Sequence, residues 1–267
     1  MAYTTIDNPE LYFQVKTYSG TGSSNAITFD GDENMQPDLV WIKSRNHAYG
    51  HHWTDSVRGA GKDLYSDITD DEYSNANSLT SFDSDGFTVG SDNGVNNGSS
   101  KTYVAWCWKM NGSGSSNTEG SLNTTANSVD TTAGQSIISY TGNGTDGATI
   151  GHGLDTAPDV LILKDRDNTR NWRVLHTGWA DASKNMLLNT TGAPSTRADD
   201  FNSTYPSSTL ITLGGDAAVN GNTTKYIIYA FSSVQGYSKF GSYTGNGNAN
   251  GTYVHLGFRP AMIIIKT

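Results

Sequence analysis

Three kinds of residue in this chain could do chemistry: clustered carboxylates, histidines and loops dense in tryptophan. Asp30-Gly-Asp32-Glu33-Asn34 and Asp67-Ile-Thr-Asp70-Asp71-Glu72 bring together oxygen ligands of the sort calcium takes. Neither has calcium-loop spacing, so solvated acidic turns are the better reading and no metal site is expected. His51 and His52 are neighbours, so on a strand they point to opposite faces and cannot share a metal. His152 and His255 precede two of the prolines at matching places, where a hydrogen-bonded turn explains them. No G-x-S-x-G motif marks a nucleophile, and no carboxylate pair is framed by an aromatic wall as in a glycosidase. The single cysteine, Cys107, lies in Trp106-Cys107-Trp108 and reads as a small buried hydrophobe. The expectation is a non-enzymatic protein without a cofactor. Aromatic residues remain. Tyr49, His51 and Trp53 in one segment, and Trp172 and Trp179 in another, could stack on sugar rings beside Asn, Arg and Asp. The alternative is that Trp53 and Trp172 pack in a core or at a subunit interface.

Composition narrows the partners. Charged residues make up 16% of the chain and the formal net charge is −9. No basic stripe exists, and phosphate binding needs clustered Lys and Arg, so nucleic acid is not an expected partner. A neutral surface of hydroxyls and amides suits sugar contact or dense packing against other subunits. The first residues lack the basic and apolar regions of a signal peptide, and no apolar run is long enough to span a membrane.

The elements that must position these residues are repeated. Ile138-Ser-Tyr-Thr-Gly-Asn-Gly144 and Phe240-Gly-Ser-Tyr-Thr-Gly-Asn-Gly247 are near copies, and Val15-Lys-Thr-Tyr-Ser-Gly-Thr-Gly22 is a looser third. Each precedes a proline and an apolar run ending in lysine: Pro37 to Lys43, Pro158 to Lys164 and Pro260 to Lys266. Self-similarity at domain-sized spacing defines the folding unit. Strand signals dominate, with β-branched or aromatic runs bounded by Gly, Asn, Asp and Pro. The order Asn8-Pro9-Glu10 predicts one helical turn, and Phe82 to Phe87 predicts a hairpin turning at Asp85-Gly86. The fold expected is all-β, with tandem antiparallel β-sandwich domains of jelly-roll type and a truncated third repeat.

This predicts an N-terminal segment over 1–14, repeat one over 15–109, a Gly/Ser/Asn/Thr linker or surface strap over 110–133, repeat two over 134–235 and an incomplete repeat over 236–267. The linker would let unit one be displaced. The last repeat offers three strands, Tyr237 to Tyr243, Thr252 to Phe258 and Pro260 to Lys266, too few to close a sandwich. Either the natural chain continues, the favoured expectation, or another subunit completes the sheet. On the last strand of unit one, Trp106 and Trp108 share a face, which should be buried as its counterpart Tyr229 and Phe231 should be in unit two.

Longer strings carry a resemblance: Gln36-Pro-Asp-Leu-Val-Trp-Ile-Lys43, Asp55-Ser-Val-Arg-Gly59, Leu79 to Ser91, Tyr103-Val-Ala-Trp-Cys-Trp-Lys109 and Gly236 to Gly247. With these the whole chain resembles tail-fibre-like virion proteins of marine tailed bacteriophages. The resemblance implies concanavalin- or SPRY-like sandwiches and a structural or receptor-binding role on the particle surface. It also implies docking to other virion proteins through the first residues. By analogy with phage fibres it implies a homotrimer, and it supplies no catalytic residues. A capsid decoration protein is the competing structural reading, and a glycan-degrading enzyme a third class.

Overall fold

Two large antiparallel sheets, each backed by a small one, account for nearly all the secondary structure. The computed structural model describes residues 3–98 and 100–266. In the first part of the chain the strands are β1 (Phe13–Ser19), β2 (Asn25–Ile27), β3 (Leu39–Ser44), β4 (His52–Asp55), β5 (Lys62–Tyr65), β6 (Tyr73–Ser74), β7 (Leu79–Asp83), β8 (Gly86–Val89) and β9 (Thr102–Trp108). In the second they are β10 (Ala126–Asp130), β11 (Gln135–Thr141), β12 (Thr149–Gly151), β13 (Val160–Asp165), β14 (Arg173–His176), β15 (Lys184–Leu187), β16 (Ser195–Thr196), β17 (Leu210–Thr212) and β18 (Lys225–Phe231). One large sheet runs β1-β9-β3-β4-β5-β6 and the other β10-β11-β18-β13-β14-β15-β16. The second thus repeats the first with β10 added at its edge. The small sheets are β2-β8-β7 and β12-β17.

A corner repeated in each unit closes large sheet on small. Each has a one-turn helix, α1 (Asn93–Asn96) or α2 (Ala217–Asn220), capped by Asp92 or Asp216 accepting from the amide two residues on. Tyr18 stacks on Tyr103 and Tyr140 on Tyr226, with ring centroids 5.2 and 5.1 Å apart. The four hydroxyls donate to carbonyls of the same two helices. Buried Asn96 and Asn220 each tie the helix to the loop after β1 or β11 by accepting from the Thr21 or Asn143 amide. Asn96 is therefore the counterpart of Asn220. The recurring lysine has a local role as well. Lys43 donates to the Tyr49 carbonyl at 2.6 Å, and buried Lys164 to those of Asp165 and Asn168, so each ties its strand to the following loop.

Three apolar layers result. One lies between β2-β8-β7 and the first large sheet, and another between the second large sheet and β12-β17. The third lies between the two large sheets and joins Leu39, Trp53 and Leu64 to Ile137, Trp172, Ile227 and Tyr229. The central strands are therefore covered on both faces, which is why β11, β13 and β18 read as continuous apolar runs.

Several expectations need correction. Residues 110–133 are not a flexible linker: β10 lies within them, and Asn111 to Thr125 is bonded to the second unit. Unit one is not displaceable, because its sheet face is packed against unit two. The strand of unit one begins at Phe13, inside the expected N-terminal segment, and the hairpin pairs Asp83 with Gly86, which puts the turn at Ser84-Asp85. The helical turn is a 3-10 turn at Pro9–Leu11 with Asn8 as its cap. On β9 it is Tyr103, Ala105 and Cys107 that fill the sandwich core, while Trp106 and Trp108 face the other way and are half-buried.

The three strands expected after Tyr237 do not form. Among the described residues, a single bridge between Val234 and Ser238 is all the pairing found there. Ile263, Ile264 and Ile265 stand 65%, 59% and 64% exposed. In the complete units, the strand that pairs with both β1 and β3 is β9, and residues 236–266 contain no such strand. Phe240 packs against Phe231 and the patch formed by Val160, Val174 and Met186, Tyr237 meets Tyr12 edge to face, and Lys266 donates to the Thr190 carbonyl.

Truncating Trp172 to Ala should cost about 3–5 kcal/mol in denaturant unfolding, the range for a large aromatic removed from a core. Trp106→Ala, at a half-buried site, should cost clearly less. Equal losses would contradict the placement of the middle layer.

Candidate functional site

The candidate site is the part of the first large sheet that the second does not cover. Register places Val15 opposite Trp106, Trp106 opposite Trp41, and Trp41 opposite Trp53, so four side chains form one row across four strands. Burial rises along that row. Val15 is 36% exposed, Trp106 and Trp41 are half-buried, and Trp53 is 3% exposed beneath the second unit. Trp41 lies 5.1 Å from Trp106 and 5.3 Å from Trp53, centroid to centroid. The row is thus an aromatic surface fixed at one end in the core and open at the other.

The loop between β3 and β4 borders this surface. The Trp41 indole N–H donates to His51 Nδ1 at 3.3 Å, so that nitrogen is an acceptor and the ring proton lies on Nε2. Burial pushes the His51 pKa down, which keeps the ring neutral near pH 7. The His51 amide is held by Asp67 at 2.9 Å. His47 stacks on Tyr49 with centroids 4.3 Å apart, and Asn97 donates to the Tyr49 hydroxyl at 2.7 Å.

Of the five residues expected to meet a ligand, the structure brings Tyr49 and His51 to this loop. It places Trp53 and Trp172 in the layer between the sheets, 5.3 Å apart and edge to face, with the Trp172 N–H donating to the Tyr65 carbonyl. Neither is accessible to a glycan, because Trp53 on β4 and Trp172 just ahead of β14 are both buried between the sheets. Trp179 sits on the other unit, against the patch that holds Phe240. Trp41 and Trp106 were missed as ligand candidates. The signal available was their alternation with Ile42, Ala105 and Cys107, which puts Trp41 and Trp106 on the opposite face from those three without saying which face meets the sandwich core.

Buried charges fix the base of the row. The Tyr229 hydroxyl donates to Asp55 at 2.6 Å, and Arg58, on the turn after β4, pairs with Asp55 and donates to the Trp53 carbonyl. Glu72 bridges Arg58 and Arg166, taking two bonds from Arg166 at 2.8 and 3.0 Å. Burial works against charge on Arg58, but Asp55, Tyr229 and Glu72 together outweigh it and hold the guanidinium protonated. Burial likewise pushes the Glu72 carboxyl up, and Arg166 and Arg58 together bring it below the usual range.

The other titratable candidates have structural partners. His152 is fully buried; it accepts from the Leu154 amide at Nδ1, which leaves the proton on Nε2, 3.2 Å from the Ser207 carbonyl. His52 lies 3.4 Å from Asp63 inside the first sandwich. Burial pushes the Cys107 thiol well up. Among the described residues, no group of three or more His, Cys, Asp or Glu could hold a metal ion. No described helix is long and apolar enough to cross a membrane.

The profile of one family, described as Domain of unknown function (DUF7483), matches residues 8–267. No curated protein and no solved structure matches the chain.

The Glu72 bridge sets a pH dependence. A carboxyl held below its ordinary pKa contributes stability that is present above that pKa and is lost as pH falls through the folded value. Asp200, pushed up to about 6 by burial, has the opposite sign: its share is present at low pH and lost as pH rises through about 6. Glu72→Gln should therefore lower stability at pH 7 by roughly 3 kcal/mol, the cost of breaking a buried pair, and flatten the loss between pH 5 and 3. Denaturation midpoints across that range check both outcomes.

Proposed function

We propose that this chain, which belongs to the DUF7483 family, is a non-enzymatic structural and adhesive component of a tailed-phage virion, a tail fibre or tail tip that meets a glycan on the host surface. In this reading the sandwiches are of jelly-roll, concanavalin-like type. The first residues dock the protein to other virion proteins, and the assembled form is a homotrimer on the particle surface.

The observation that carries the proposal is the open end of the aromatic row, Trp41 and Trp106 beside Val15. Flat aromatic faces suit the C–H faces of sugar rings, and His51 and Tyr49 at its border offer polar groups for hydroxyls. The row is held by a buried base and so needs no ordering to bind, which lowers the entropic cost of contact. A single shallow surface binds weakly, so adhesion comes from several copies engaging one polysaccharide. The neutral, amide-rich surface supports the same reading. The competing capsid-decoration reading has less support, since residues 110–130, which could serve it as a strap across neighbouring subunits, are bonded to their own chain.

The test is binding of the assembled protein to host cells and to their purified surface polysaccharide, with Trp41 and Trp106 both changed to Ala. Removing about 1.5 kcal/mol of aromatic contact corresponds to at least roughly tenfold weaker binding per site. Undiminished binding by a folded double variant would remove this surface from the account.

A further inference from the structure

The Asn/Ser/Thr-rich segment that composition presented as a linker builds a second concave site. Ser115 and Asn127 exchange backbone hydrogen bonds at 3.2 and 2.7 Å. The segment then folds back on itself, with the Asn117 amide donating to Thr124 Oγ1 at 2.7 Å and the Thr124 amide to the Asn117 carbonyl at 3.0 Å. It is pinned to β12 through Ser121 and Leu122, whose amides donate to Thr149. Between this folded strap and β10 lies a pocket of about 350 Å³. Its lining includes Asn117, Thr118, Glu119, Asn127, Val129 and Gly153. Among the described residues, unit one has no strap and no strand equivalent to β10, so this feature is found in unit two.

Asn127 shows what the pocket would accept. It is only 7% exposed, and its amide nitrogen donates to Ser136 Oγ at 2.7 Å and to the Ile137 carbonyl at 3.2 Å. Those bonds fix which way the amide points and leave Oδ1 without a protein donor. A Cβ at Gly153 would lie 2.8 Å from Asn127 Oδ1 and 2.8 Å from a Val129 methyl. Glycine at 153 therefore leaves both groups uncovered on the pocket floor. At the rim, the Glu119 carboxylate accepts from Asn117 Nδ2 at 3.3 Å and retains further acceptor capacity.

Acceptors dominate this set, so the ligand must offer either hydrogen-bond donors or positive charge. A polyol meets the requirement with its hydroxyls and a bare cation by coordination. The Val129 methyl is of no use to a bare cation but suits the C–H face of a sugar ring. The volume also falls at the lower end of small-molecule sites and far exceeds what one ion needs. We propose that this pocket binds one saccharide residue, with Asn127 Oδ1 and the Glu119 carboxylate accepting from its hydroxyls and Val129 against its ring. The inference rests on the glycan-contact reading for its ligand class, but it names a site separate from the Trp41–Trp106 surface.

Saturation-transfer NMR with methyl glycosides of glucose, galactose, mannose and N-acetylglucosamine tests it. Thr118→Trp, at an exposed position, fills the pocket mouth, and Glu119→Gln removes the charge while keeping an acceptor. At least one glycoside should respond with the native protein and with the Trp41→Ala/Trp106→Ala variant. Its affinity should fall at least tenfold in Thr118→Trp and less in Glu119→Gln. The site is overturned if Thr118→Trp responds like the native protein, or if no glycoside responds. It is also overturned if calcium alone binds and Glu119→Gln abolishes that binding. Loss of polysaccharide binding confined to the tryptophan variant would sink this site and leave the first reading standing; loss confined to Thr118→Trp would do the reverse.

Discussion

Everything else in this molecule depends on the contact between the two large sheets. Trp53 meets Trp172 and Tyr229 edge to face, with centroids 5.3 and 4.8 Å apart, in a layer closed to water. Burying the Asp55–Arg58 pair beside it is tolerable only because nearly every polar atom there has a partner: Tyr229, Glu72, and the Trp53 and Lys62 carbonyls. Lone charges at this depth would cost several kcal/mol each, so the network fixes the position of one sheet on the other as well as stabilising it. The aromatic surface inherits its geometry from that position. The sheets are offset, and the offset is what leaves Trp106 and Trp41 half-open while Trp53 is sealed.

Much of the fold was legible in the sequence because each unit obeys local rules. Apolar runs bounded by Gly and Pro became strands, and the Asn8-Pro9-Glu10 signal became a turn capped by the Asn8 side chain. The repeated tyrosines became stacked pairs in equivalent corners of both units. What local pattern does not encode is which of two apolar faces meets which partner. On β9 both faces are apolar, so alternation alone could not say that Cys107 points into the sandwich and Trp106 toward the other sheet. The same ambiguity made Trp53 and Trp172 look like loop aromatics available to a ligand. Only the register Trp41↔Trp53 shows that Trp53 shares a face with Trp41 and lies nearer the buried end.

Composition misled most in the segment from Met110 to Asp130. It has little to bury, and low apolar content reads as flexibility. Its order comes from side chains bonding backbone, Asn117 and Thr124 above all, a route that hydrophobicity does not register. The opposite holds after Tyr237, where strongly β-prone sequence adopts no strand. Pairing partners, and not propensity, decide whether a short apolar run becomes a strand.

The central claim is that a rigid double sandwich presents the outer end of one aromatic row to a sugar. Indole N–H resonances report on this directly, because the six tryptophans differ in burial and in hydrogen bonding. During titration with host surface polysaccharide, the Trp41 and Trp106 resonances should shift together while that of Trp172, bonded to the Tyr65 carbonyl, stays fixed. A titration that leaves Trp41 and Trp106 unmoved while the polysaccharide is bound would contradict the account.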